Sequence, residues 1–315
     1  MRIQIQRILC PTDFSEYSTV ALEHAVALRG SLGASLEALH VLPFALVPGG
    51  DFAYPWPASG TAGPEMLVQS ERELRAFVER VAGPDSGIER RILEGDAARE
   101  IAAEAERLGA GLIVMGTHGR SGFDRLLLGS VAEKVLRRAP CPVLTVRAPM
   151  KASVGAPASF RRILCATDLS ASSPLTIDTA LSVAEENQAD LTLLHVIEGL
   201  SDDASARLTL AGASPVRGEL ERNVRVQLRK AVPDDARAWC RVRERVAVGE
   251  AWREILAAAA RAKADLIVMG VHGDWPLGPM LFGSTCQHVV REAPCPVLTV
   301  RPGGAGRQPM AASRA

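Results

Sequence analysis

Two stretches of this sequence carry residues suited to holding a polyphosphate. The first runs Gly116-Thr117-His118-Gly119, then nine residues, then Gly129-Ser130. The second repeats the spacing as Gly270-Val271-His272-Gly273, nine residues, then Gly283-Ser284. Glycine lets backbone amides approach an anion closely and accepts positive φ. A Gly-Ser pair opening a helix adds unpaired N–H groups, a hydroxyl and the positive end of the helix dipole. One GxxG alone would read equally well as a structural turn. The same pattern twice, each time after the apolar run Leu-Ile-Val-Met, is a stronger signal, and each half also begins with a Thr-Asp pair, Thr12-Asp13 and Thr167-Asp168. Inside the loops the copies diverge. Arg120-Ser121-Gly122 in the first offers a cation to phosphate, whereas Asp274-Trp275-Pro276 and Pro279 in the second bring a carboxylate and remove two backbone donors. Occupancy is expected in the first copy and left open in the second.

The elements that must position these loops are legible from a duplication. Arg7-Ile8-Leu9-Cys10 recurs as Arg162-Ile163-Leu164-Cys165, His40-Val41 as His195-Val196, and Ala139–Arg147 without change as Ala293–Arg301. The offset is 155 residues early and 154 late, so whole domains align with one gap. Units at 1–148 and 161–302, a linker over 149–160 and a tail over 303–315 follow from this. In the first unit, strands are expected at Arg7–Cys10, Leu36–Val41, Glu89–Leu93, Leu112–Met115 and Val143–Val146. Helices are expected around Tyr17–Leu32, Glu65–Val81, Ala97–Leu108 and Val131–Arg138. Such alternation predicts an α/β fold in which each unit is a five-stranded parallel sheet with helices on both faces. Ser173-Pro174 reads as an N-cap followed by a first-turn proline, and Asp96 and Glu250 place carboxylates at equivalent helix starts. In such sheets ligands sit beyond the carboxyl ends of the strands, where the strand order reverses. Asp13, Val41 and Gly116 would all reach that crevice. The Gly/Pro-rich segment from Pro43 to Pro64 reads as a mobile loop or a lid.

Pro11-Thr12-Asp13-Phe14-Ser15, Leu39-His40-Val41, Met115-Gly116-Thr117-His118-Gly119, Gly129-Ser130-Val131-Ala132 and Pro140-Cys141-Pro142-Val143 together resemble the universal stress protein family. The resemblance implies a Rossmann-like fold of the adenine-nucleotide α-hydrolase type, dimers made by pairing last strands and, in one branch, ATP binding. It places Asp13 and Val41 at the ribose–adenine end. Gly116, Gly119, Gly129, Ser130 and Val131 would hold phosphates through backbone amides and the Ser130 hydroxyl. Pro11, Thr12, Met115, His118 and Arg120 complete the candidate set, with Thr167, Asp168, Val196, Gly270, Gly273, Gly283 and Ser284 as the second copy's counterparts. If Mg²⁺ accompanies ATP, the phosphates supply most of its ligands. A nucleotide-dependent stress-response regulator, read by a protein partner, is the function implied.

Composition narrows the alternatives. Lys+Arg and Asp+Glu both number 36, so no global field draws nucleic acid or an anionic membrane. No apolar run reaches bilayer length and the first residues do not read as a leader, so the cytoplasm is expected. Six cysteines without CxxC spacing read as buried thiols. No Walker lysine, kinase motif or nucleophile elbow is present. His118 and His272 invite a general-base reading that loop packing makes unnecessary, and His40 and His195 read as packing residues. Slow ATP hydrolysis or autophosphorylation, and a scaffold without nucleotide, remain as alternatives. Finally, the identical apolar ends Val143–Val146 and Val297–Val300 would each be an exposed edge strand. Pairing them antiparallel makes an intramolecular pseudo-dimer and leaves further homodimerisation open.

Overall fold

The computed structural model describes residues 5–43, 63–119, 128–147, 159–199, 214–271 and 283–301. Arg120, Gly273, His272, the tail and almost all of the linker and of the 43–64 segment lie outside these residues. In the first half the chain runs β1 (Arg7–Pro11), α1 (Glu16–Leu32), β2 (Ser35–Leu42), α2 (Pro64–Ala82), β3 (Glu89–Glu94), α3 (Ala97–Leu108), β4 (Leu112–Gly116), α4 (Ser130–Arg138) and β5 (Val143–Val146). The second half runs β6 (Arg162–Ala166), α5 (Ser173–Asn187), β7 (Asp190–Ile197), α6 (Ser214–Lys230), α7 (Ala236–Trp239), β8 (Val242–Val248), α8 (Ala251–Ala262), β9 (Leu266–Gly270), α9 (Ser284–Glu292) and β10 (Val297–Val300).

Alternate residues of the strands feed opposite cores, because successive side chains in a strand point to opposite faces. Ile8, Cys10, Leu112, Val114 and Leu144 join α1 and α2 on one face. Leu9, Leu39, Ile113, Met115 and Val143 join α3 and α4 on the other. Burial on both faces is why these strands read as continuous apolar runs. All six cysteines are buried, as expected. Burial pushes the thiols of Cys10, Cys141, Cys165, Cys286 and Cys295 up to about 12, which leaves them protonated and unreactive near neutral pH.

The strands form one ten-stranded sheet in the order β3-β2-β1-β4-β5-β10-β9-β6-β7-β8. Every pairing within a half is parallel, whereas β5 and β10 pair antiparallel with Leu144 opposite Leu298. The expected edge-strand pairing is therefore present. It is reinforced reciprocally: Thr145 Oγ1 donates to Val297 O at 3.2 Å and Thr299 Oγ1 to Val143 O at 3.1 Å. Both hydrophobic cores run across this junction without a break.

One expected helix cap is corrected. The N-cap of α5 is Ser172, whose side chain makes no capping bond. Ser173 lies inside the helix, and its hydroxyl donates to Asp168 Oδ1 at 2.8 Å. Glu250 stands at the start of α8 as expected, at the N-cap position and without a side-chain capping bond. Its carboxylate instead accepts from Trp252 Nε1 at 2.6 Å, and Glu198 Oε1 takes the Ala251 amide at 2.8 Å. Asp96 does cap α3, accepting from the Arg99 amide at 3.0 Å.

Because Leu144 and Leu298 face one another in the core that packs α1, α2 and α5 and runs across the junction, the halves should unfold as one cooperative unit. Truncating both to alanine should cost about 2–5 kcal/mol per site and split the single urea transition in two. One unchanged transition in the double variant would contradict this.

Candidate functional site

Strand order reverses between β1 and β4, so the loops leaving these strands diverge and open a crevice at their carboxyl ends. A cavity of about 740 Å³ lies there, lined by residues from β1, β2 and β4, from the N-terminal parts of α2 and α3, and from the first turn of α4. This volume is typical of a small-molecule site. It gathers Pro11, Thr12, Asp13, Val41, Met115, Gly116, His118, Gly119, Gly129, Ser130 and Val131, which is every described first-half candidate.

One wall is the loop after β1. The Thr12 amide donates to Leu39 O at 2.8 Å, and His40 Nδ1 pairs with Thr12 O at 2.7 Å, so β2 holds the loop from below. Asp13 Oδ1 accepts from the Ser15 amide at 3.1 Å and from the Ser15 hydroxyl at 2.6 Å. Ser15 in turn caps α1. The turn forces Phe14 to φ 65°, an uncommon conformation for a bulky residue, and Phe14 is held there by packing on His40 with ring centroids 4.3 Å apart. The second half repeats this construction. Leu169 stands at φ 60°, Asp168 Oδ1 accepts from the Ser170 amide at 3.0 Å, and His195 Nδ1 meets Thr167 O at 2.9 Å. Burial opposes ionisation of Asp168, but donors from Ser170 and Ser173 outweigh it and hold the carboxyl below its usual range.

The opposite wall is the glycine loop, and each glycine has its own steric reason. A Cβ on Gly116 would lie 2.9 Å from Tyr17 Cβ and 3.0 Å from its backbone, so this glycine lets α1 pass across the end of β4. A Cβ on Gly119 would fall 2.5 Å from Asp13 Oδ2, which brings the loop against the carboxylate. The Gly129 amide donates to Thr117 O at 2.9 Å, and a Cβ there would sit 3.0 Å from the same carbonyl oxygen. That corrects one expectation: the Gly129 N–H is spent within the protein and is not available to a phosphate. The following amides are a different matter. Gly129 is the N-cap of α4 and supplies no side-chain cap, and the first-turn residues Ser130, Val131 and Ala132, whose N–H groups have no intrahelical acceptor, line the cavity. Val131 stays 38% exposed there. His118 Nδ1 pairs with Thr117 Oγ1 at 2.9 Å and its ring lies 5.0 Å from that of Tyr17, consistent with a packing role.

In the second half, Thr167, Asp168, Val196, Gly270, Gly283 and Ser284 occupy the equivalent strand ends and helix start. Gly283 donates to Val271 O at 3.3 Å, as Gly129 does to Thr117 O.

Sequence reasoning missed one side of the first cavity. Met66, Gln69, Ser70 and Glu73 of α2, with Ala97 and Ile101 of α3, also line it. They carry no motif, and α2 follows the long loop, so only the packing of helices on opposite sheet faces brings them together. No Lys or Arg is among the described lining residues, which leaves the α4 N-terminus as the positive element of this wall. Among the described residues no group of three or more His, Cys, Asp or Glu is placed to hold a metal. No helix among them is long and apolar enough to cross a membrane.

Beneath the cavity, between β2 and α3, Glu37 and Glu104 are both buried. Arg107 Nε donates to both Glu104 oxygens at 2.9 Å, and its guanidinium reaches only 3.7 Å from Glu37. Glu37 Oε1 has no hydrogen-bond partner. Burial, reinforced by the Glu104 charge, pushes Glu37 up to about 7, while the Arg107 hydrogen bonds hold Glu104 down.

Parallel strands in this order, helices on both faces and a crevice at the switch point define a Rossmann-like α/β protein. The chain belongs to the universal stress protein family, whose pattern it matches twice, over residues 4–147 and 159–301. Universal stress protein MJ0531 of Methanocaldococcus jannaschii is 37% identical over 147 residues, 46% of this chain and 84% of its own length. Universal stress protein MJ0577 of the same organism is 31% identical over 161 residues, 47% of this chain and 98% of its own. The crystal structure of a universal stress protein from Archaeoglobus fulgidus superimposes with TM-score 0.65, covering 96% of this chain and 98% of that one at 24% identity, a likeness of fold.

The buried acid pair makes stability depend on pH. The folded protein holds a proton on Glu37 that the unfolded chain releases near the ordinary carboxylate range. This group's contribution is thus fully present below about 4.5 and is lost as pH rises to about 7. Replacing Glu37 by glutamine should remove that slope and stabilise the protein at pH 8 by on the order of 1–3 kcal/mol. Parallel melting curves of variant and wild type between pH 5 and 8 would rule this out.

Proposed function

We propose that the first half binds ATP at the crevice between β1 and β4, and that occupancy makes the chain a nucleotide-dependent regulator in the stress response. The observation that carries this reading is the uncapped N-terminus of α4 facing a cavity of about 740 Å³. Unpaired amides at the positive end of a helix dipole form a ready anion site. The triphosphate would take the amides of Ser130, Val131 and Ala132 and the Ser130 hydroxyl. Asp13, fixed through one carboxylate oxygen by Ser15, stands where a ribose hydroxyl can donate to it. The adenine would lie over the end of β2, near Val41, against the apolar side chains of Met66 and Ile101. Mg²⁺ would be held chiefly by the phosphates. Occupancy would order the glycine loop and shift the population of a surface that a protein partner reads. We place the two working units at 1–148 and 161–302.

The second half keeps its glycines for a reason that does not need a ligand, since Gly283 sits against Val271 O just as Gly129 sits against Thr117 O. One equivalent of nucleotide per chain is expected because the second loop carries Asp274, Pro276 and Pro279 where the first offers Arg120 and two more backbone donors.

Calorimetric titration with Mg-ATP, AMP and cyclic AMP tests this. A valine at Gly129 must displace the Thr117 carbonyl and open the loop, so Gly129→Val should abolish binding while Gly283→Val leaves it intact. Folded wild-type protein that takes up no ATP at millimolar concentration would refute the reading and favour a scaffold without nucleotide.

A further inference from the structure

Helix α4 is tied at its two ends to different halves of the molecule. Its N-terminal end belongs to the first half, where the Gly129 amide donates to Thr117 O at 2.9 Å. Its C-terminal end ends at Ala139, whose amide takes Val135 O. The next carbonyls have no intrahelical donor. One of them, Arg137 O, accepts from Arg301 Nη1, and Arg301 directly follows β10 in the second half. The exchange is reciprocal: Arg147, directly after β5, donates through Nη1 to Arg291 O at 2.8 Å near the end of α9. Each half thus holds, with one guanidinium, the C-terminal end of the helix whose N-terminus faces the other half's crevice.

We propose that Arg301 is a positioning residue for the phosphate site of the first half, so that the second half sets nucleotide affinity across the β5–β10 junction. This rests on the nucleotide reading above. Two physical effects act together. Nine residues of α helix span only about 13 Å, so fixing one end fixes the direction in which the first-turn amides point. Amides already aimed into the cavity bind an anion without first paying an ordering cost. The guanidinium also neutralises the negative end of the dipole whose positive end receives the phosphates. The ion pairs of α4 stay within the first half: Lys134 pairs with Asp96 and Arg137 with Glu133.

The symmetry supplies its own control, because Arg147→Ala removes the same kind of bond from the same junction but releases α9 and leaves α4 held. Hydrogen exchange of the full-length chain, read by mass spectrometry across a Mg-ATP titration, reports peptides of α4 and α9 separately. Arg301→Ala should speed exchange over 133–138 without nucleotide and weaken ATP-induced protection of the α4 peptide about two- to fivefold. Arg147→Ala should lower the melting temperature equally, speed exchange in α9 and leave first-half affinity unchanged. Arg301→Lys, which keeps the charge, should recover part of the loss. Equal weakening by both alanine variants would reduce the effect to general destabilisation and overturn the proposal, as would wild-type affinity in Arg301→Ala. Absence of ATP protection in the wild type would overturn the nucleotide reading itself. In that case the exchange rates of α4 in the two variants still decide whether Arg301 holds the helix.

Discussion

The antiparallel pairing of β5 with β10 is the interaction on which this molecule depends. Each of these strands is buried on both faces, with Val143, Leu144 and Val146 matched by Val297, Leu298 and Val300. Left unpaired, either would present an apolar edge with open backbone donors and acceptors, a template for association with other chains. Joining them turns two five-stranded sheets into one of ten strands and lets each hydrophobic layer continue from one half into the other. The register is fixed by more than hydrophobicity. Thr145 and Thr299 use their hydroxyls on carbonyls of the opposing strand, and Arg147 and Arg301 reach the helices beyond it. A one-residue slip would turn every side chain to the wrong face and break all four contacts.

That junction frees the carboxyl ends of β1 and β4 to serve as a site. The loop after β1 is held in a conformation that costs energy at Phe14 and, in the second half, at Leu169. The hydrogen bonds from Ser15 to Asp13, the contact of His40 with Thr12 O, and the ring packing of Phe14 on His40 and Phe77 offset that cost. The same strain recurs in both loops at the x position of a shared Thr-Asp-x-Ser pattern, so it belongs to the architecture common to the two halves. The glycines follow similar logic. Gly116 yields to Tyr17, Gly119 to Asp13 and Gly129 to Thr117 O, so the glycine loop is first a device for close packing and only then a place where an anion can be received.

Electrostatics divides the site between backbone and side chains. Its described lining contains Asp13 and Glu73 but no Lys or Arg, so among the described residues the first turn of α4 is the positive element of the cavity wall. The described Arg residues of this region are engaged elsewhere. Arg107 neutralises Glu104 beneath α3, and Arg137 pairs with Glu133 along α4. Glu37 is left as the one acid of its pair without a full partner, below a helix that supplies Ala97 and Ile101 to the cavity.

By itself the sequence determined the duplication, the strand–helix alternation, the buried thiols and the pairing of the last strands. These follow from apolar period and repetition, which act locally or between identical segments. It also named Asp13, Val41 and the glycines correctly as neighbours, because a parallel sheet brings the carboxyl ends of its strands to one side. What only the tertiary structure decided are the contacts between elements far apart in the chain. The contribution of α2 to the cavity depends on how helices from opposite faces lean over the end of β2. The loss of the Gly129 amide to Thr117 O, and the use of Ser173 on Asp168 in place of a helix cap, depend on which of several nearby acceptors lies closest. Glu37 and Glu104 stand 67 positions apart, and Arg301 and Arg137 stand 164 apart. No periodicity links such pairs, since their meeting is set by packing and by the two-fold relation of the halves.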